Sequence, residues 1–176
     1  TLDVTNSPEL EKIVIGSAVW GNPDALKVVD FTRNTKLKSI QMQQGAMVEN
    51  LDLSGCTDLE EFIWVGGRLL SLDLSNSPQL NELWVSRNCL MSVKVSPQAP
   101  LTEGWRIEEN LLDACALNEF FTSLKDYSGN ANSPYYSISY DTNPGYYGAD
   151  YRIYRNKNWG SFDPSEQTKI VNCGSN

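Results

Sequence analysis

An internal repeat is the feature that most constrains the fold of this chain. Pairs of apolar residues flanking one polar residue begin at Leu2, Val29, Leu51, Leu72 and Val93, so the starts lie 27, 22, 21 and 21 residues apart. A leucine follows each start after a constant offset, and a second alternating pair begins soon after that leucine. One copy cannot bury its own apolar side. The repeat therefore predicts short strands joined by turns, with neighbouring copies stacked on one another.

Stacking aligns equivalent residues into columns, and two of these columns are predicted to form the core. They are Leu2–Val29–Leu51–Leu72–Val93 and Ile13–Ile40–Phe62–Leu83–Trp105, the last copy carrying one inserted residue. A third column, Ser7–Asn34–Cys56–Ser77, is small and polar, as expected where side chains bond to turn backbone groups. Residue 1 already lies inside a repeat, so we expect further residues upstream of it.

Composition excludes several classes of function. A net charge of −8 argues against nucleic acid or an anionic membrane as a partner. The absence of histidine removes Ser-His-Asp and Cys-His nucleophile pairs. No run of apolar residues is long enough to insert into a membrane. The cysteines at 56, 89, 115 and 173 show no CxxC spacing, and they allow an oxidising compartment without requiring one.

Two copies carry a resemblance to a known family. The stretches LDLSGCTDLEEFIWV (51–65) and LDLSNSPQLNELWVS (72–86) resemble leucine-rich repeats, in particular the short LDLS-type repeats of secreted bacterial cell-surface proteins. The resemblance implies an α/β-type repeat solenoid, a right-handed superhelix of mostly short strands and turns. It implies about five coils over residues 1–112. Residues 113–176 would then form a C-terminal αβ cap, packed with the coils as one domain.

The C-terminal third predicts the elements of that cap. Apolar residues spaced as on a helix run from 114 to 124, with Asp113 as a plausible N-cap. A strand over 135–140, an Asn-Pro-Gly turn at 143–145 and a short helix before Trp159 follow. The alignment also places Cys115 level with the Val93 column, and it is interpreted as a buried core thiol.

The outward residues of the first strand form an acidic column. It consists of Asp3, Asp30, Asp52 and Asp73, followed by Lys94. Stacked carboxylates could attract Ca²⁺, but a flat ladder offers too few oxygen ligands for it. The interpretation is a solvated face, or aspartates that bond to their own turns, and no metal or other cofactor is predicted.

The outward residues of the second strand are less polar and form the predicted partner-binding face. The column is Val14, Gln41, Ile63, Trp84 and Arg106, with Val65 beside it. Tryptophan and arginine are the residues most enriched in interface hot spots. The alternative is that this patch is covered, either by a neighbouring domain or by the long insertion of the second coil with its Trp20.

Tyrosines suggest a second possible binding site. All of them lie between residues 127 and 154, where they either fill the cap or offer stacking platforms to a sugar, with Tyr146 and Tyr147 as the candidate glycan-binding residues. Neighbouring acids such as Glu60 and Glu61 imply no enclosed pocket, so no catalytic residue and no enzyme activity are expected. The segment DTNPGYYGAD (141–150) is interpreted as a plain turn.

The sequence therefore predicts a non-catalytic recognition module. Its partner would be a protein or peptide bound outside the cell or at a bacterial surface, as in adhesion. This location rests on the family resemblance. The alternatives are carbohydrate binding through the tyrosine-rich cap, and a purely structural spacer.

Overall fold

The computed structural model describes residues 2–16, 26–43, 46–129, 138–159, 171 and 173. In chain order the elements are β1 Leu2–Asp3, β2 Lys12–Ile15, β3 Val29–Asp30, β4 Ser39–Gln43, β5 Glu61–Val65, β6 Ser71–Leu74, β7 Glu82–Trp84, β8 Ser92–Val95, β9 Gly104–Arg106, α1 Ala114–Ser123, β10 Ile138–Ser139 and α2 Arg152–Asn156. Neither α1 nor α2 has the length and apolar character needed to cross a bilayer, and no other helix in the described residues has them.

The strands stack as parallel ladders, and their register confirms the predicted repeat. The largest sheet has the order β10-β9-β7-β5-β4-β2, while β1 pairs with β3 and β6 pairs with β8. Across the large sheet, the second predicted core column is continuous, with Ile13, Ile40, Phe62, Leu83 and Trp105 as successive Cα partners. The described residues therefore form a β-solenoid.

The first predicted core column is only partly continuous. Leu2 pairs with Val29, and Leu72 pairs with Val93, as the alignment predicts. Leu51 is half-buried and lies outside any strand. This side of the solenoid is consequently held by two short ladders, whereas the side formed by the large sheet has one continuous ladder.

Burial follows the number of neighbours that each coil has. Ile40, Phe62 and Leu83 are completely buried between strands on either side. Ile13, the equivalent residue of β2, is only half-buried, because β2 is the edge strand of the described sheet. The core thus lies between the two faces of the stacked coils, and its column on the large sheet is fully buried from β4 onward.

A column of buried asparagines closes the turns that follow β7, β9 and β10. Asn88, Asn110 and Asn143 each donate through Nδ2 to the carbonyl oxygen three residues before them and to a carbonyl of the preceding coil, at 2.7–3.1 Å. Their Oδ1 atoms accept from the backbone N–H groups of Leu69, Leu90 and Leu112. The column therefore satisfies buried backbone groups that turns would otherwise leave unpaired.

Helix α1 matches the prediction closely. Asp113 is its N-cap and accepts a hydrogen bond from the Ala116 N–H at 2.8 Å. The apolar face buries Leu117, Phe120 and Phe121, and the helix packs against β8. This arrangement is what the helical spacing of apolar residues predicts.

The elements after α1 are shorter than predicted where they are described. The predicted strand over 135–140 is seen as Ile138–Ser139, while residues 130–137 lie outside the described part. Helix α2 confirms the short helix before Trp159, whose Nε1 donates to the Lys125 carbonyl at 2.7 Å. The rings of Tyr140 and Tyr154 are buried here, in edge-to-face contact at 6.1 Å.

Gly145, in the predicted Asn-Pro-Gly turn, lies against the start of α1. A Cβ atom at this position would come within 2.1 Å of the Ala114 backbone nitrogen. The Gly145 N–H donates to the Leu112 carbonyl at 2.9 Å. Only glycine allows the turn to approach the helix this closely.

The interpretation of Cys115 as a core thiol is wrong. Cys115 is half-buried and forms a disulfide with Cys173, 58 residues away in sequence. The alignment assumed that the strand column continues through this position, but Cys115 is in the first turn of α1 and points away from the core column. Cys56 is a free buried thiol, and burial raises its pKa to about 11. Cys89 is free and half-buried.

Candidate partner-binding face

The predicted partner-binding column lies in one row on the outer side of the large sheet. Val14, Gln41, Ile63, Trp84 and Arg106 are successive Cα partners across β2, β4, β5, β7 and β9. Ser139 of β10 continues the row beyond Arg106. Because neighbouring parallel strands are about 4.8 Å apart, these side chains form a contiguous strip. We call it the Trp84 row.

Exposure varies along the Trp84 row. Val14 is 59% exposed, whereas Gln41, Trp84 and Arg106 are half-buried. Ile63 is only 8% exposed, so the apolar area offered to a partner is smaller than its outward position predicts. Val65 lies two residues further along β5 and is half-buried. The predicted cover segment with Trp20 lies outside the described residues.

Trp84 and Arg106 form a stacked pair. The guanidinium carbon of Arg106 lies 4.8 Å from the centroid of the Trp84 ring, a cation–π geometry. The pair joins β7 to β9 across one ladder step, so both side chains are fixed on a rigid backbone. The Nε atom of Arg106 is buried, and no hydrogen-bond partner for it is found in the described residues. Such a held aromatic and arginine lose little side-chain entropy when a partner binds.

A second outward row, next to the Trp84 row, carries the acidic groups of the face. Its successive Cα partners are Lys12, Ser39, Glu61, Glu82 and Gly104. Ser39 Oγ donates to Glu61 Oε2 at 2.5 Å, and Gln41 Nε2 donates to Glu61 Oε1 at 2.8 Å. We call it the Glu82 row. Its two carboxylates are direct neighbours on adjacent strands.

The pKa values of the two carboxyl groups in the Glu82 row are shifted in opposite directions. Burial raises the pKa of Glu82, and the nearby charges of Glu61 and Glu103 and a hydrogen bond with Glu61 raise it further. Burial also acts to raise the pKa of Glu61, but the hydrogen bonds from Ser39 and Gln41, the charge of Lys12 and the hydrogen bond with Glu82 together leave that pKa below its usual value. Glu61 is therefore the member of the pair that holds its charge, and Glu82 is the one that retains a proton more readily.

Sequence reasoning missed this pair because its members are 21 residues apart. The acids considered from sequence were adjacent ones such as Glu60 and Glu61, which a strand directs to opposite sides. The signal was nevertheless present in the alignment. Glu61 and Glu82 both stand one residue before the core column, at Phe62 and Leu83, and so share the outward face.

The acidic column of the other side is bonded to its own turns, as one of its interpretations predicts. Asp3, Asp30, Asp52 and Asp73 each accept through Oδ1 from the backbone N–H two residues later, at 2.8–3.0 Å. The Thr or Ser side chain at the same position also bonds to each aspartate. This side-chain hydrogen bond is the largest cause of the lowered pKa of each aspartate, and the backbone hydrogen bond is the next largest. Among the described residues no group of His, Cys, Asp or Glu is arranged to hold a metal ion.

The tyrosine site lies at the turn after β10. Tyr147 is 57% exposed, and its ring stands edge-on to that of half-buried Tyr146 at 5.0 Å. These two rings, with Asp141, Thr142 and Pro144, line an open cavity of about 420 Å³. The two predicted glycan-binding residues are thus brought together, whereas Tyr127, Tyr140 and Tyr154 are buried.

Comparison with known proteins gives no identification. No protein-family model matches this chain, nor does any curated protein or any solved structure. The functional argument therefore depends on the geometry of the two outward rows and of the tyrosine site.

Proposed function

We propose that this chain is a leucine-rich-repeat recognition module that binds a protein or peptide partner through the Trp84 row. The repeat type is supported by LNELWVSRNCL (80–90), which fits the consensus with leucine-type residues at 80, 83, 85 and 90 and asparagine at 88. In the fold, Asn88, Asn110 and Asn143 hold equivalent positions and bond equivalent backbone groups. This regularity is what a repeat asparagine provides.

In this proposal the C-terminal part acts as a cap. A terminal coil would otherwise expose apolar columns and strand edges. This role is supported by the packing of α1, because Phe120 of the helix is buried against Trp105 of β9, with the ring centroids 4.9 Å apart. β10 adds to the edge of β9 and extends the large sheet by one strand.

The observation that carries the binding proposal is the Trp84–Arg106 pair. It is a half-buried aromatic ring under a guanidinium group on the outward side of a continuous parallel sheet. Buried hydrogen bonds of the asparagine column fix the turns at the end of β7 and β9. A partner that covers Trp84 therefore gains apolar contact without having to order the sheet.

An extracellular location is part of the proposal. Disulfides persist in oxidising compartments and are rare in reducing ones, and the Cys115–Cys173 bond is consistent with the former. Together with the resemblance to secreted bacterial surface proteins, it supports a role in recognition at the cell surface.

The test is selection from a displayed peptide library on the intact protein, followed by affinity measurement on variants. Trp84→Ala should weaken the selected peptides at least tenfold, as expected of a hot spot. Met91→Ala is the matched control, because Met91 is 56% exposed and lies outside the large sheet. Selected peptides that bind both variants as tightly as the unmodified protein would refute recognition through the Trp84 row.

Carbohydrate binding is the second candidate, and the exposed Tyr147 ring at the cavity beside Tyr146 favours it. Sugar faces stack on exposed aromatic rings, and the cavity supplies hydroxyl and carboxylate groups from Thr142 and Asp141. A glycan array probed with the unmodified protein and with Tyr147→Ala separates the two. Signals lost only in Tyr147→Ala support this candidate, and an array without signal removes it.

A further inference from the structure

The Glu82 row and the Trp84 row lie side by side, so one partner segment can contact both. Glu82 and Trp84 are two residues apart on β7 and point to the same side of the sheet. The distance between such positions along a strand is about 6.6 Å. An extended peptide has the same spacing between alternate side chains, so it can run along β7 with one side chain at each position.

The two ladder neighbours of Glu82 are a carboxylate and a glycine. On one side its ladder neighbour is Glu61, which Ser39 and Gln41 hold in place. On the other side its ladder neighbour is Gly104, which has no side chain. Glu82 therefore has a fixed carboxylate on one side and, at the buried Gly104, no side chain on the other.

Charge complementarity selects the chemistry of the occupant. Glu103 directly precedes Gly104, and its charge contributes to the raised pKa of Glu82. Of the cations that act on this pair, Arg106 is stacked on the Trp84 ring, and Lys12 lies two ladder steps from Glu61 in the same row. An ammonium or guanidinium group at Glu82 would compensate the charge of the neighbouring carboxylates, whereas an acidic side chain would add to their repulsion.

We propose that the partner is an extended protein segment with a lysine or arginine two positions away from an apolar residue. The basic side chain pairs with Glu82, and the apolar side chain packs on Trp84. This inference rests on the proposed function and specifies the partner's chemistry at the same face. The net charge of −8 supports the approach of such a basic segment over longer distances.

The experiment uses a displayed library of random nine-residue peptides selected on the intact protein. The expected result is enrichment of lysine or arginine two positions from an apolar residue. Affinity for the selected peptides should fall at least tenfold in Glu82→Gln and remain unchanged in Glu119→Gln, a matched control on the exposed side of α1. Glu82→Lys should bind the same peptides poorly, and replacing their basic residue by glutamate should restore binding to that variant.

The outcomes separate the inference from the proposed function. If Trp84→Ala weakens the peptides and Glu82→Gln does not, the face binds partners but the basic position is wrong. If selection shows no basic residue at the expected spacing, the inference is likewise refuted. If neither variant weakens binding, or no peptide depends on Trp84, both the inference and the proposed function are refuted.

Discussion

Replacing Asn110 by alanine tests how much the asparagine column contributes to stability. Asn110 accepts from the Leu90 N–H at 3.1 Å and donates to the carbonyls of Val85 and Ile107 at 2.9 and 3.0 Å. Both carbonyls keep another donor in the variant, from Asn88 and Asn143 respectively. The Leu90 N–H, by contrast, loses its acceptor in the variant and becomes an unpaired buried donor.

The expected loss follows from these two kinds of group. An orphaned buried donor costs about 1–3 kcal/mol, and each of the two bonds to carbonyls that stay paired contributes about 0.5–1.5 kcal/mol. We therefore expect Asn110→Ala to lower the free energy of unfolding by about 4 kcal/mol. In a chain of 176 residues this corresponds to a fall in Tm of about 8–16 °C.

Denaturant unfolding followed by circular dichroism measures this change, with Asn76→Ala as the control. Asn76 is exposed, and its side chain donates to the Ser54 carbonyl at 3.3 Å, so its loss should stay within about 0.5 kcal/mol. Amide exchange at Leu90 should accelerate in Asn110→Ala. Equal losses in the two variants, with unchanged exchange at Leu90, would refute the assignment of a structural role to the column.

Further changes test the C-terminal packing and the acidic pair. Cys115→Ser should lower the free energy of unfolding by up to about 4 kcal/mol, because it opens a 58-residue loop, and a melting curve unchanged by the substitution would contradict this. Gly145→Ala should lower the free energy of unfolding by at least about 1–3 kcal/mol through overpacking, because the added Cβ would meet the backbone at the start of α1. Gly129→Ala is the matched control, since a Cβ there has nothing within 4 Å. Equal melting temperatures of the two variants would refute the close approach. Glu82→Gln should stabilise the protein at pH 7. Because the pKa of Glu82 is raised in the folded state, ionisation of this carboxyl group above pH 4.5 destabilises the folded protein, and below that pH the group is protonated in both states. The stability gained by Glu82→Gln should therefore vanish by about pH 4 in urea titrations. A gain that is independent of pH would contradict the raised pKa.

Several elements could be predicted from the sequence because their signals are local or periodic. The column from Ile13 to Trp105 emerged from constant offsets, since a side chain must recur at the same place in each coil to meet its neighbours. Helix α1 followed from the spacing of its apolar residues and from Asp113 at its start. The alignment also placed Trp84 and Arg106 as neighbours on the outward side.

The candidate site could be predicted less completely, because its chemistry depends on which side chains lie next to each other on neighbouring strands. The outward position of Ile63 predicted exposure, but its burial depends on the side chains around it. The acidic pair of Glu61 and Glu82 needs the register of two strands before the residues can be seen as neighbours. Their opposite pKa shifts depend further on donors such as Ser39.

The sequence by itself determined that this chain stacks its repeats, which side of each strand faces the core, and that an aromatic–arginine column faces outward. Periodicity suffices for this, because each coil can be buried only by its copies. The tertiary structure alone decided that Cys115 pairs with Cys173, that Gly145 touches the start of α1, and that Glu82 lies between a fixed carboxylate and a bare glycine. Those contacts join residues that are distant in sequence, and only the folded chain sets the distances between them.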